Sequence, residues 1–146
     1  DLLVSKPRHL LVGVGMDSIK GHWREWGLFD NGRLPIGHMH SNLLQIAVER
    51  GVPALIVWLI LLLLYARMLW RVVRTNGDTG EQWISRGIAL GALGGLVGFF
   101  ASGIVHYNWG DSEVVMVLYF IMGLSLVVER SVSTERGSVG STSDAA

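Results

Sequence analysis

The sequence contains no cysteine, which excludes disulfide bonds and metal sites built from thiolates. Charged residues are also scarce, at 16% of the 146 residues, and 12 Lys and Arg balance 12 Asp and Glu to a formal net charge of zero. A nucleic-acid-binding surface needs an excess of positive charge. The composition therefore gives no reason to expect a nucleic-acid partner.

Long apolar runs are abundant, since 50% of the residues are hydrophobic and the mean hydropathy is +0.42. The run over residues 52–73 has no charge before Arg67, and about 20 such residues suffice to cross the hydrocarbon core of a bilayer. Residues 83–105 and 114–128 form two further apolar segments. The pattern predicts an all-α integral membrane protein with about three transmembrane helices.

The chain divides into three predicted regions. Residues 1–51 form an extracytoplasmic loop with a short amphipathic helix, residues 52–128 the transmembrane region, and residues 129–146 a disordered cytoplasmic tail rich in Ser, Gly and Thr. Arginines flank the short loop between the first two membrane helices, which favours a cytoplasmic position for that loop. Since the first residue is Asp1 and three helices make a thin core, we expect a C-terminal fragment of a larger multi-pass protein.

A short helix is predicted immediately before the first membrane helix. Asn42 is a suitable N-cap with Gln45 three positions later, so the helix should begin near residue 43. Asn42, Gln45 and Glu49 share one face at helical spacing, opposite an apolar flank. This pattern predicts an amphipathic helix that lies on the membrane surface. Gly51 suits its end, and Pro53 suits the first turn of the membrane helix.

His40 is the candidate catalytic residue. It precedes a helix N-terminus, where unpaired N–H groups and the helix dipole disfavour an imidazolium and favour bound anions. A neutral imidazole beside an anion site can act as a general base. The alternative is that His40 only caps or packs the turn.

Three other patterns point to packing or turns. Glycines recur at small-xxx-small spacing in the second membrane helix and predict close approach of another helix. No carboxylate lies at a sequence spacing from His38 and His40 that would complete a metal site, so we predict none. Gly13 and Gly15 lack the third glycine of a dinucleotide-binding turn. The glycines of the second helix are Gly87, Gly91, Gly94, Gly95 and Gly98.

The chain resembles the O-antigen ligase and O-antigen polymerase superfamily over most of residues 8–128. The resemblance rests on Leu11-Val12-Gly13-Val14-Gly15 followed by a polar loop, on His40-Ser41, nine residues and Gly51 immediately before a membrane helix, and on the helices that follow. Leu44-Gln45 and Glu49-Arg50-Gly51 fall inside the second motif. The superfamily contains ligases, polymerases and protein O-oligosaccharyltransferases, which this motif does not separate.

The resemblance implies a metal-independent glycosyltransferase without a cofactor in the bacterial inner membrane, with its active site facing the periplasm. Its donor would be a glycan on undecaprenyl pyrophosphate, and its acceptor a hydroxyl of lipid A-core, of another glycan or of a protein. The matching histidine, His40, would take the proton of the acceptor hydroxyl. Candidate substrate-binding residues are Arg24, Arg33 and Ser41, together with His106, which the predicted topology places on the same side of the membrane as His40. A different class remains open, in which the chain is a non-enzymatic transporter or scaffold subunit with a structural His40.

Overall fold

A computed structural model describes residues 2–34, 37–77, 80 and 82–134 of the chain, together with the backbone of residues 135–143. Its regular structure in these residues is entirely helical. Four short helices precede three long ones. In chain order they are α1 (Pro7–Val12), α2 (Ser18–His22), α3 (Leu28–Gly32), α4 (Asn42–Arg50), α5 (Val52–Thr75), α6 (Gln82–Val105) and α7 (Ser112–Ser143), with a 3-10 turn at Asn108–Gly110 between the last two.

The three long helices confirm the predicted all-α membrane architecture. Helices α5 and α6 each have 24 residues, and both are long and apolar enough to cross a bilayer. The third span covers Ser112–Thr134. Their first residues lie within two positions of the predicted ones, because the apolar runs are bounded by Gly51, by a polar loop and by the turn after α6. The chain is a membrane protein with three candidate transmembrane helices.

Helix α7 continues beyond the apolar segment. Its backbone is helical to Ser143, so residues 129–134 are helical where the composition favours disorder. The side chains of residues 135–143 and all of residues 144–146 lie outside the described part of the chain. The prediction of a disordered tail over residues 129–146 therefore stays untested for these side chains and for residues 144–146. The boundaries of the three predicted regions also stay predictions.

The chain forms two compact units, the first comprising Asp1–Leu61 and Phe99–Ser112. Helix α4 is central to this unit and begins one residue earlier than predicted, with Ser41 rather than Asn42 at the N-cap. The Ser41 side chain makes no capping hydrogen bond. Gln45 instead accepts a hydrogen bond from the Met39 N–H at 2.6 Å. The Gln45 side chain thus bonds to a backbone N–H that precedes the helix, much as the glutamine of a capping box does. The prediction that Asn42 is the N-cap is wrong.

The polar face of α4 points inward, not toward water. Asn42, Gln45 and Glu49 are 1%, 3% and 5% exposed, whereas Leu44 is 58% exposed. The polar face of α4 is therefore covered by the protein, while the prediction that this helix lies on the membrane surface stays a prediction. The reason is tertiary, because Asn42 donates to the Asn108 side chain and accepts from the Trp109 N–H at 2.9 Å.

The segment before α2 is fixed to the C-terminal end of α4. The N–H groups of Val14 and Gly15 donate to the carbonyls of Val48 and Glu49 at 2.8 and 3.0 Å. Gly13 is buried with a φ of +70°. The glycines of the Leu11–Gly15 segment, read from sequence as a turn, thus permit close backbone contact with α4.

Gly13→Ala should destabilise the first unit. A Cβ at this position would overlap the Glu49 carbonyl and meet the Arg50 nitrogen, and a φ of +70° strains any L side chain. We expect a loss of about 1–3 kcal/mol, typical of forced overpacking. Thermal unfolding of the purified protein in detergent checks this, with Gly21→Ala as control because no atom lies within 4 Å of a Cβ there. An equal melting temperature for both variants would contradict the packing described.

Three aromatic rings pack against one another within the first unit. Trp58 packs on Trp109 with ring centroids 5.5 Å apart and on Phe99 at 6.5 Å, and Phe99 lies 6.1 Å from Trp109. Trp58 and Phe99 are buried. Edge-to-face aromatic pairs at such distances stabilise a fold beyond the area that they bury. Trp109 therefore belongs to this packed cluster.

The second unit comprises Leu62–Gly98 and Glu113–Ala146. Within it, the buried hydroxyls of Tyr65 and Ser125 lie 3.1 Å apart and share a hydrogen bond between α5 and α7. The glycine stripe of α6 lies open. Among the described residues, no atom of a neighbouring element comes within 4 Å of a Cβ built at any of the five predicted contact glycines. The close approach that the stripe predicts is not made by these helices of the chain itself.

Candidate functional site

A cavity of about 220 Å³ lies within the first unit, beside the inward face of α4. Asp17 and Lys20 from the start of α2 line it, Gln45 and Glu49 line it from α4, and Asp111 lines it from the turn after α6. Three carboxylates and one ammonium therefore face a single space. The short helices and the turn are held around α4 by the backbone and asparagine contacts described above.

Glu49 is the most deeply placed acid of this cavity. Its side chain is 5% exposed, and it is hydrogen-bonded by the Gln45 side chain and the backbone of Ile19. Its Oε1 atom is buried and has no hydrogen-bond partner among the described residues. A buried carboxylate oxygen without a donor is costly, so its retention requires an explanation.

Burial raises the pKa of Glu49 above its ordinary value of 4.5, and the nearby Asp17 carboxylate raises it further. The hydrogen bonds from Gln45 and Ile19 and the Arg50 charge act in the opposite direction without cancelling this shift. Burial also raises the pKa of the Tyr107 phenol above 10.0, so Tyr107 keeps its proton at neutral pH. The cavity thus combines an acid that resists ionisation with a protonated phenol.

Glu49→Gln should stabilise the protein at neutral pH. Because the folded-state pKa of Glu49 is raised, the folded state binds this proton more tightly than the unfolded state. Its contribution to stability is present below pH 4.5 and is lost as the pH rises through the folded pKa. The variant should melt higher than the wild type at pH 7, and the difference should shrink as the pH approaches 4.5. Melting temperatures across this range, with exposed Glu25→Gln as control, test it, and a pH-independent difference would contradict it.

His38 is one of two imidazoles that line the cavity, with His106. Its Nδ1 lies 3.1 Å from the Met39 carbonyl oxygen, which can only accept, so Nδ1 carries a proton, and in a neutral imidazole Nε2 is the acceptor. The His38 ring lies 5.2 Å from that of His40, 6.4 Å from that of His106 and 5.8 Å from the Tyr107 ring. Three imidazoles are therefore grouped at one side of the cavity.

The sequence-predicted site residues are only partly brought together. His106 lines the cavity, with Nε2 3.4 Å from Asp111 Oδ2. His40 is exposed and reaches the cavity only through its contact with His38. Ser41 is 6% exposed at the start of α4. Arg24 and Arg33 are exposed and do not line the cavity, and the Arg24 guanidinium lies 5.2 Å from the Trp23 ring centroid.

Sequence reasoning missed several cavity residues. Asp17, Lys20 and Asp111 come from separate segments and carry no spacing signal. Glu49 did have a signal, since it shares a helical face with Asn42 and Gln45, but the sequence does not show that this face turns toward a cavity. No group of three His, Asp or Glu residues within the described part of the chain has an arrangement that could hold a metal ion.

The chain was also compared with known proteins. No family model, curated protein or solved structure matched it. The resemblance drawn from the His40 and Gly51 motif therefore stays a prediction, and the function rests on the residues themselves.

Proposed function

We propose that this chain belongs to a bacterial inner-membrane glycosyltransferase of the O-antigen ligase type. It would transfer a glycan from undecaprenyl pyrophosphate to an acceptor hydroxyl on the periplasmic side. The observation that carries the proposal is the grouping of His40 with His38 and His106 beside a polar cavity, immediately before a membrane-spanning helix. A lipid carrier in the bilayer and an acceptor hydroxyl at the membrane surface would meet at such a position.

In this proposal His40 removes the proton of the acceptor hydroxyl as its oxygen attacks the anomeric carbon. The new C–O bond replaces the bond to the pyrophosphate oxygen, which leaves with the electron pair. The exposure of His40 suits a base that contacts a large incoming substrate. His38 contacts the His40 ring and lines the cavity, so in this proposal it orients His40 or accepts the proton from it.

The pyrophosphate would be held outside the cavity, by arginines. Guanidinium groups bind phosphate through two parallel hydrogen bonds and keep their charge. Arg24 and Arg33 are exposed, so their side chains are free to contact a lipid-borne pyrophosphate. Lipid headgroups would bind the same side chains. A transfer assay on each arginine variant distinguishes binding of the substrate pyrophosphate from contact with headgroups.

The test is glycan transfer in cells that lack the endogenous enzyme and are complemented by the full gene. His40→Ala should abolish transfer and let the lipid-linked donor accumulate at matched membrane levels. His22→Ala is the matched control, because His22 is exposed and does not line the cavity. Normal transfer by His40→Ala would contradict the assignment of His40 as the general base. Use of a lipid-linked glycan as acceptor would identify a polymerase instead of a ligase.

A second candidate is a non-enzymatic membrane subunit. The open glycine face of α6 favours it, since a partner helix could approach there without obstruction by any described residue. A subunit of this kind would retain its function when His40 is replaced but lose partner association when Gly91 and Gly95 are replaced by Leu. Co-purification of the two variants separates this candidate from the enzyme.

A further inference from the structure

We infer that α1 is an interfacial membrane anchor, in which Leu11 and Val12 enter the apolar layer of the bilayer while Lys6 and Arg8 contact anionic lipid headgroups. The inference begins with two exposed apolar side chains. Leu11 is 64% exposed and Val12 is 57% exposed, and the two residues end α1. Single exposed apolar residues are common on proteins, so the position of these two decides what their exposure means.

Leu11 and Val12 lie at the start of the membrane helix α5. A Cβ built at Gly51 would overlap the Leu11 carbonyl, and the Val12 nitrogen would lie 2.9 Å from it. Gly51 immediately precedes α5, which begins at Val52. Because α5 has 24 residues and about 20 suffice to cross the hydrocarbon core, its first turn lies at one edge of that core. The backbone of Leu11 and Val12 therefore lies where headgroups meet hydrocarbon.

Backbone hydrogen bonds hold the C-terminal end of α1 in this position. The N–H groups of the next residues, Val14 and Gly15, donate to carbonyls of the last turn of α4 at 2.8 and 3.0 Å. While these bonds persist, α1 stays beside the start of α5. The exposed apolar surface of α5 itself begins one turn further on, where Ile56 is 49% and Val57 is 67% exposed.

The charges of α1 fit an anionic lipid surface. Residues 2–16 include Lys6 and Arg8, both exposed, and contain no acid. Arg8 precedes Leu11 and Val12 by three and four positions, so the three side chains share one face of α1. At about 1.5 Å per residue, Arg8 lies only about 6 Å before Val12 along the helix. Its long side chain can therefore reach headgroup phosphates while Leu11 and Val12 contact acyl chains.

A bilayer fits this face better than water or a protein partner does. Water would leave two large apolar side chains unburied beside the entry of α5 into hydrocarbon. A protein partner would need an apolar surface with acidic groups one helical turn away. A bilayer that contains anionic lipid supplies both, in the order that α1 requires. The inference uses neither His40 nor the cavity and is therefore independent of the proposed function.

The absence of cysteine makes a direct experiment possible, since each single-cysteine variant accepts one nitroxide label without background. Leu11→Cys and Val12→Cys are labelled in the full chain and reconstituted in nanodiscs of phosphatidylcholine and phosphatidylglycerol. Electron paramagnetic resonance then measures collisions of the label with O₂, which concentrates in hydrocarbon, and with a water-soluble nickel chelate. Val57→Cys is the lipid reference and Glu25→Cys, at an exposed acid, the water reference.

We expect the labels at residues 11 and 12 to collide with O₂ in preference to the nickel chelate, as at residue 57. Preference for the nickel chelate at both positions, as at residue 25, would place them in water and overturn the inference. Few collisions with either reagent would show that protein covers both positions, which would overturn it equally. Melting temperatures equal to that of the wild type check that each labelled variant is folded.

The combined change of Lys6→Gln and Arg8→Gln tests the headgroup contact. In nanodiscs with phosphatidylglycerol, the label at residue 11 should shift toward water, with more nickel collisions relative to O₂. In nanodiscs of phosphatidylcholine alone the shift should be smaller, because the attraction depends on anionic lipid. Lys20→Gln is the control, since Lys20 is exposed but lies in α2. An unchanged label depth in the anionic nanodiscs would overturn the assignment of Lys6 and Arg8.

Discussion

Replacement of His40 by Ala is expected to lower glycan transfer by about 10²–10⁴-fold, the usual contribution of a general base. An acceptor hydroxyl is a poor nucleophile while it keeps its proton, so loss of the base raises the barrier of the chemical step. Binding of the donor should change little. The predicted signature is a fall in kcat with a nearly constant KM, measured with purified enzyme and lipid-linked donor.

His38→Ala provides the sharpest comparison for this prediction. His38 lines the cavity, whereas His40 is exposed beside it, so their effects separate a base from a positioning residue. If His40 is the base, its removal lowers transfer by about 10²–10⁴-fold at every pH, whereas loss of His38 lowers the rate less and displaces the pH profile. A larger loss for His38→Ala than for His40→Ala would assign the base to His38.

The membrane architecture was predictable from sequence because it depends on local composition. A run of about 20 apolar residues can satisfy its backbone only as a helix in lipid. The starts and ends of α5 and α6 follow from Gly51, from the polar loop after Thr75 and from the turn after Val105. None of these features requires knowledge of distant contacts.

The burial of the polar face of α4 could not be predicted in the same way. A 3.6-residue period identifies two faces, but it does not say which face is covered. Asn42 is buried because Asn108, 66 positions later, supplies a partner. Glu49 is buried because α2 and the Leu11–Gly15 segment pack over it. Partners so distant in sequence leave no local pattern.

The candidate site likewise contains residues that a local pattern identifies and residues that only distant contacts bring together. His40 and Ser41 were identified by one short motif that adjoins a membrane helix. Asp17, Lys20 and Asp111 come from segments separated by about 90 positions, and no pattern in the sequence joins them. His106 was selected only because the predicted topology places it on the same side of the membrane as His40, and the first unit contains both residues.

Asn42→Ala should produce a large loss of stability. The Asn42 side chain is 1% exposed, donates to Asn108 and accepts from the Trp109 N–H at 2.9 Å. Removal leaves the Asn108 oxygen without that donor and the Trp109 N–H without that acceptor, at a cost of roughly 1–3 kcal/mol for each group. We expect a clear fall in melting temperature in detergent. Ser41→Ala is the matched control, because Ser41 is also buried but makes no capping hydrogen bond.

A double-mutant cycle with Asn108→Ala separates this bond from general loss of packing. Asn108 also donates to the Phe99 carbonyl at 3.1 Å, so Asn108→Ala alone should destabilise the turn after α6 as well. If the two asparagines act as a pair, the double variant should lose less stability than the sum of the single variants. Strict additivity would mean that α4 is held by its apolar contacts alone. Coupling would instead show that the inward polar face of α4 fixes the turn carrying Tyr107 and Asp111, and with it one wall of the cavity.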